Sequence, residues 1–376
     1  MNAGAVLEPY GILFQPSAER RGVPYRVYPA RGRPRWLLPA VSRGSKIAAG
    51  FTSAGGFRSL ARDALVASGM LRAARVWLDV TPLGDALADV LGAPVESLAF
   101  YVGTDGAYQK LTARVTTRAS GVSAYAKIAA HDLARGALER ERAMLGRLGQ
   151  IPALRGAVPE VLGWLRCGEL RLLVLSAGPR RRGPRVLTGQ HLEFLRRLGD
   201  ATRRLLPFRE SLMWARIVAA AARLLPRLVP PWPDRYARAL HRLERQLGPV
   251  VLPHGVAHRD FAPWNTGVDH DVLFVFDWEA AADGTTPLYD VFHFNEIQAA
   301  QTGGRAGLPP SARMAAAALG LPSDTPLGAL YAAYLVDASL FYAEARVLAP
   351  HAGEDDVWRW LGGRIDAWLG GSHGVA

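Results

Sequence analysis

The sequence predicts an α+β protein with a small lobe built on an antiparallel sheet, a mainly helical second lobe, and an N-terminal extension ahead of both. Three observations predict it. Residues 97–129 read as three consecutive short strands separated by turn signals. One amphipathic helix follows at 134–148, then two further strands between 161 and 176. From Val186 onward the apolar spacing is helical, interrupted around 258–277 by a hairpin-like stretch. The implied division is 1–95 for the extension, 96–178 for the small lobe and 179–376 for the helical lobe.

In the extension, residues 17–46 mix Arg and Pro with aromatic and branched side chains, which favours short strands and turns. Residues 56–71 and 82–91 have helical spacing. The small-lobe strands are expected at 98–102, 111–117 and 123–129, with turns at Gly103-Thr104-Asp105-Gly106 and Ser120-Gly121. In the helix that follows, Leu138, Met144, Leu145 and Leu148 form an apolar stripe, and Glu141 lies within it while Glu139 falls on the polar side. Strands near 161–166 and 171–176 then lead into the connector Leu175-Ser176-Ala177-Gly178.

Composition narrows the class. The chain has 376 residues, 49% hydrophobic, enough for two domains or one two-lobed domain with an appendage. No apolar run approaches the roughly 18 residues of a membrane span. The start carries Glu8 and lacks a basic region, so no signal peptide is expected. Cys167 is the only cysteine, which excludes an internal disulfide framework and a cysteine metal cluster and makes a cytoplasmic location the default expectation. The net charge of +12 is almost wholly arginine; Lys46, Lys110 and Lys127 are the only lysines, and each is therefore worth inspecting.

The chemistry is concentrated in His258-Arg259-Asp260-Phe261-Ala262-Pro263-Trp264-Asn265 and, after the apolar run 271–276, in Asp277-Trp278-Glu279. Asp260, Asn265 and Asp277 stand at the spacing that lets a phosphotransferase orient a hydroxyl and hold magnesium against a nucleotide. A strand buried on both faces would deliver Asp277 to its end, where a carboxylate is costly unless a cation or donors meet it. A Mg²⁺ ion shared with phosphate oxygens would satisfy it, and Asn265 would add a neutral oxygen. Asp260 would then face the acceptor hydroxyl, and His258 would brace the loop rather than transfer protons.

These residues, with Phe276-Asp277-Trp278-Glu279 and Pro287-Leu288-Tyr289-Asp290, resemble the aminoglycoside phosphotransferase family. The resemblance runs more weakly over 97–350 and does not reach the extension. One departure is Arg259, where the family usually carries Gly and protein kinases carry Arg. The resemblance implies a two-lobed protein-kinase-like fold and an ATP- or GTP-dependent kinase acting on small molecules. It also implies that the connector, through Ser176 and Gly178, presents backbone groups to adenine.

Lys127 sits in the apolar stretch Ala124-Tyr125-Ala126-Lys127-Ile128, where a flexible chain ending in a point charge suits phosphate contact from a strand face. Glu141, on the packed stripe, needs a partner, and Lys127 is the obvious one. Such a pair would hold the ammonium over the phosphates. The alternatives are a snorkelling edge lysine and a Glu141 paired with a nearby arginine. The turn with Gly103 and Gly106 also has two readings: close backbone approach to phosphates, or an ordinary Asp-Gly hairpin.

About ten residues separate Asp277 from Pro287-Leu288-Tyr289-Asp290, too few for a peptide-binding platform, which favours a small or sugar-like acceptor. The basic balance, with Arg180, Arg181, Arg182 and Arg185 in one short run, favours a neutral or anionic acceptor over a polycationic antibiotic. His293, Asn295, Glu296, Asp337 and Glu344 could line its site or be ordinary helix-surface residues. Residues 20–46, with Trp36-Leu37-Leu38-Pro39, could touch an anionic lipid or glycolipid, or form a basic capping subdomain facing water. No nucleic-acid motif accompanies the charge. On this reading residues 1–95 are dispensable for nucleotide binding. A nucleotide-binding scaffold that has lost turnover is the alternative from another class, and an antibiotic-resistance kinase the alternative within the same one.

Overall fold

A computed structural model describes residues 7–10, 13–15, 22–29, 33–40, 74–103, 106, 108–117, 121–179, 181–304, 308–309, 311–348 and 356–371. The chain divides into two compact units, 1–146 with 159–178, and 147–158 with 179–376.

The first unit contains β1 (Leu13–Gln15), β2 (Val23–Tyr28), β3 (Trp36–Pro39), β4 (Ala74–Asp79), α1 (Thr81–Leu91), β5 (Val95–Val102), β6 (Leu111–Thr117), β7 (Gly121–Ala129), α2 (Asp132–Leu148), β8 (Val161–Cys167) and β9 (Leu170–Ser176). The nine strands form one antiparallel sheet in the order β1-β4-β2-β3-β5-β6-β7-β9-β8. The five strands expected from 98 onward are all present. The helix expected at 82–91 is α1, opened by Pro82, which loses no bond there because the first-turn N–H groups have no helical acceptor. The helix expected at 56–71 lies outside the described residues.

The extension is part of this sheet rather than an appendage to it. β3 pairs with β5, Trp36 opposite Tyr101 and Leu37 opposite Phe100. Leu37, Val76, Leu78, Leu83 and Leu87 are buried in one apolar cluster with Leu98, Phe100, Val115, Ala126, Ile128, Leu172 and Val174. The Tyr25 hydroxyl crosses from β2 to donate to the Leu98 carbonyl at 2.8 Å. Each such buried side chain contributes roughly 1.5–3 kcal/mol, so neither half of the sheet has a complete core without the other. The same burial counts against the lipid-contact expectation: Leu37 is 0% and Leu38 2% exposed, so these two side chains are inside the protein and not free to meet a lipid surface.

The second unit contains β10 (Arg181–Arg182), α3 (Gly189–Thr202), β11 (Arg204–Pro207), α4 (Leu212–Leu224), α5 (Trp232–Leu247), β12 (Val251–Ala257), β13 (Thr266–Asp269), β14 (Val272–Val275), β15 (Ala282–Thr285), α6 (Tyr289–Thr302), α7 (Ser311–Ala318), α8 (Leu327–Leu348) and α9 (Asp356–Leu369). Two three-stranded sheets, β10-β13-β14 and β11-β12-β15, supply hairpins to an otherwise helical body. Helix α8 is buried on nearly every side through residues 330–340 and packs against α4, α5, α6 and α9. Part of the arginine-rich run became an edge strand, Arg181 opposite Val268 and Arg182 opposite Gly267. Among the described residues no helix is long and apolar enough to cross a membrane.

Candidate active site

Strand β12 ends at Ala257, and the chain then turns through His258, Arg259 and Asp260. This loop is anchored from below by Asp290, in the first turn of α6. Its Oδ2 accepts the His258 N–H at 2.8 Å and its Oδ1 accepts the Arg259 N–H at 2.9 Å. Burial pushes the Asp290 carboxyl up, against the opposing pull of His258 and these two N–H groups. Phe261, 0% exposed, stacks on Phe194 and so plugs the loop into the helical body.

His258 is fully buried and both ring nitrogens are committed. Nδ1 accepts the Asp260 N–H at 3.3 Å, which leaves Nε2 to donate to the Phe276 carbonyl at 2.9 Å. The ring also meets Trp278 edge-on at 4.6 Å. His258 therefore links the loop bearing Asp260 to the strand end that precedes Asp277.

Hairpin register brings Asn265 opposite Phe276, the residue before Asp277. β13 and β14 pair with Thr266 opposite Val275, and the Phe276 N–H donates to the Asn265 carbonyl at 3.0 Å. The pair is thus fixed at the open end of the hairpin. β14 is shorter than the expected run, 272–275, with Leu273, Phe274 and Val275 buried. Asp277 then adopts a left-handed φ of 72°, which turns the chain sharply out of the strand. The Asn265 amide nitrogen donates at 2.8 Å to both the carbonyl and Oδ2 of Asp260. That orientation uses the amide nitrogen of Asn265 and leaves its amide oxygen out of both bonds. A carboxylate and an amide oxygen make a hard, all-oxygen set, which fits Mg²⁺.

The second oxygen of Asp260 faces His293, whose Nε2 lies 3.3 Å from Oδ1. The Asp260 side chain is 37% exposed while that of His293 is only 3% exposed. Asn265 and His293 thus flank the two carboxylate oxygens of a side chain that stays partly open to solvent. Of the five residues considered for the acceptor side, only His293 is shown meeting Asp260. Asn295 bonds back to the Val291 carbonyl at 2.7 Å, and Glu296 accepts from Tyr331 and, at 2.8 Å, from Trp360. Glu344 pairs with Arg223 at 2.8 Å, and Asp337 is buried against Arg259. Asp290, the last residue of the Pro287-Leu288-Tyr289-Asp290 motif, anchors the loop because α6 presents it to the His258 and Arg259 N–H groups, a contact that motif spacing alone does not reveal.

In the first unit, Lys127 Nζ sits 2.6 Å from both carboxylate oxygens of Glu141. The two side chains are 9% and 0% exposed. Strand parity explains this: Ala126 and Ile128 face the shared core, so Lys127 points to the other side of β7, toward α2. Gly103 is required by close approach, since a Cβ there would lie 2.9 Å from the Lys110 carbonyl to which its own N–H bonds. Gly106 has φ 142°. Both features belong to the hairpin itself, and Thr104, Asp105 and Ala107 lie outside the described residues. Ser176 is already used: its N–H donates to the Glu160 carbonyl at 2.9 Å, and its hydroxyl accepts the Glu160 N–H at 2.9 Å.

Comparison with known proteins bears on both units. The phosphotransferase enzyme family matches residues 103–326. Among solved structures, a thermostable mutant of aminoglycoside phosphotransferase APH(4)-Ia is similar, at 18% identity and a TM-score of 0.52, over 78% of this chain and 100% of that one. A variant of the same enzyme in ternary complex with ADP and hygromycin B has 17% identity and a TM-score of 0.50, over the same shares. A Ralstonia eutropha protein whose own assignment as an aminoglycoside phosphotransferase is provisional has 13% identity and a TM-score of 0.50, over 77% and 96%. These likenesses establish the protein-kinase-like fold. No curated protein matches the sequence.

Proposed function

The chain belongs to the phosphotransferase enzyme family, and from that premise we propose that it transfers the γ-phosphate of ATP or GTP to a hydroxyl of a small, sugar-like or glycan-related acceptor. The observation that carries the reading is the Asp260 carboxylate, held on one oxygen by Asn265 and on the other by His293 while the side chain stays partly open to solvent.

Asp260 orients the acceptor hydroxyl and takes up its proton as the oxygen attacks phosphorus. Asn265 and Asp277 would hold Mg²⁺, which would supply neutralisation of the charge carried by the transferred phosphate. Lys127, kept extended by Glu141, contacts the α- and β-phosphates as a point charge. Gly178 and the neighbouring backbone receive the base. The arginine-rich balance of the chain supports a neutral or anionic acceptor.

The test is ADP release from Mg·ATP and Mg·GTP against a panel of sugars, amino alcohols, glycan precursors and aminoglycosides, with Asp260→Asn as the control. Acceptor-stimulated release that is lost in the control supports the reading. Nucleotide binding with no stimulated release by any acceptor would favour a scaffold without turnover. Selective turnover of aminoglycosides would replace the acceptor class proposed here.

A further inference from the structure

Arg259, the residue immediately before Asp260, adopts φ 65°, a left-handed conformation strained for any residue with a Cβ. Its side chain is buried to 10% exposure and grips two places at once. Nε and Nη2 donate to Asp337 Oδ2 at 3.1 and 2.8 Å, and Nη1 donates to the Ala280 carbonyl at 3.3 Å. Ala280 closes the short helical turn that begins directly after Asp277. Asp337 lies mid-way along α8, 3% exposed, and also accepts from Arg216 Nε at 3.0 Å and from the Tyr289 hydroxyl at 2.9 Å. The Phe341 ring, one helical turn further, lies 5.3 Å from the guanidinium carbon. Burial alone would raise the Asp337 carboxyl, but Arg259 and Arg216 outweigh it and hold the group below the usual carboxylate range, so it is ionised.

A buried ion pair adds little stability over apolar packing of the same volume, so the value of this one lies in the geometry it imposes. The backbone of Arg259 is held by Asp290 from α6, and its side chain by Asp337 from α8. We propose that Asp337 is a positioning residue for phosphoryl transfer, acting through Arg259 to lock the loop of Asp260 and the turn after Asp277 onto helix α8. No external group is needed to order this loop, because its counter-ion is part of the fold. The proposal rests on the roles given above to Asp260 and Asp277.

Two variants separate the strut from general stability. Asp337→Asn keeps the volume and removes the charge, and Arg259→Gly removes the side chain while relieving the left-handed strain. Hydrogen exchange read by mass spectrometry follows the amides of 258–262 directly, and turnover is read as ADP release from Mg·ATP with water as acceptor. In folded protein both variants should exchange at 258–262 at least about tenfold faster, with β5, β6 and β7 unchanged. ADP release should fall about tenfold or more while the Kd for Mg·ATP stays within about threefold, and the double variant should be no slower than the slower single one. Unchanged exchange at 258–262 in either folded variant would overturn the proposal, as would losses that simply multiply in the double variant. A wild-type protein that releases ADP neither to water nor with any acceptor of the panel above would count against the proposed function, and exchange would then decide the strut alone.

Discussion

Lys127 and Glu141 form a bidentate pair, the ammonium 2.6 Å from each carboxylate oxygen, with neither side chain more than 9% exposed. A lysine in this position has little room to grow. Lys127→Arg should therefore be as damaging as Lys127→Ala, because a planar fork cannot reproduce the point contact and overfills the site. Loss of one charge-assisted contact predicts a fall of about tenfold to a hundredfold in kcat/KM for ATP. Steady-state kinetics check this; full activity in the arginine variant would reduce Lys127 to a generic positive charge.

Asp260 and Asp277 should separate cleanly. Asp260→Asn preserves the shape and removes the base, so turnover should fall ~10²–10⁴-fold with Mg·ATP affinity nearly intact. Asp277→Asn removes the carboxylate ligand, so magnesium-dependent nucleotide binding itself should weaken. Calorimetry of ATP binding with and without Mg²⁺, beside kinetics, distinguishes the two; near-wild-type turnover in Asp260→Asn would remove the base assignment.

A chain starting near residue 93 should not keep the first unit folded. It would lack β1, β2, β3, β4 and α1, and with them Tyr25, Leu37, Val76, Leu78, Leu83 and Leu87 from the shared core. At roughly 1.5–3 kcal/mol for each buried side chain, the loss rivals the ~5–15 kcal/mol total stability of a typical protein. Circular dichroism melts and ATP titration of the truncated chain test this, and a folded fragment that binds ATP would show the five remaining strands to be self-sufficient.

The protein should lose stability as pH falls from neutral, and His191 is one cause. Its Nδ1 accepts the Thr188 N–H at 3.1 Å at the start of α3, and burial lowers its pKa to about 4 from an ordinary value near 6.5. The folded state therefore binds the proton less readily than the unfolded one, so stability is full above about pH 6.5 and declines as pH falls toward 4. This group alone should cost about 2 kcal/mol by pH 4.5. His191→Gln keeps an acceptor for the cap but cannot titrate. Denaturant melts from pH 7 to 4.5 should show a shallower decline for the variant, and parallel declines would exclude His191 as a contributor.

The chain's order of elements, its strands at 111–117 and 161–176, and the proximity of Asp260 and Asn265 were legible because each rests on local pattern: apolar period, turn residues and motif spacing. The pairing of Lys127 with Glu141 was also within reach, since a carboxylate on an apolar helix stripe announces its need for a cation. What sequence could not reveal depends on contacts between distant segments. Nothing local tells β3 that its partner is β5, so sequence left lipid contact and a capping subdomain both open for this segment, and the sheet decided that Leu37 and Leu38 are buried. Arg259 and Asp337 are far apart in the chain, and each alone resembles a surface charge; their meeting is decided by where α8 passes beneath the loop. His293 likewise acquires its role from the direction in which α6 presents it to Asp260. Sequence determined which groups exist and the strand or helix period each rides on, while tertiary packing decided which of them are desolvated together, and only desolvated neighbours are compelled to pair.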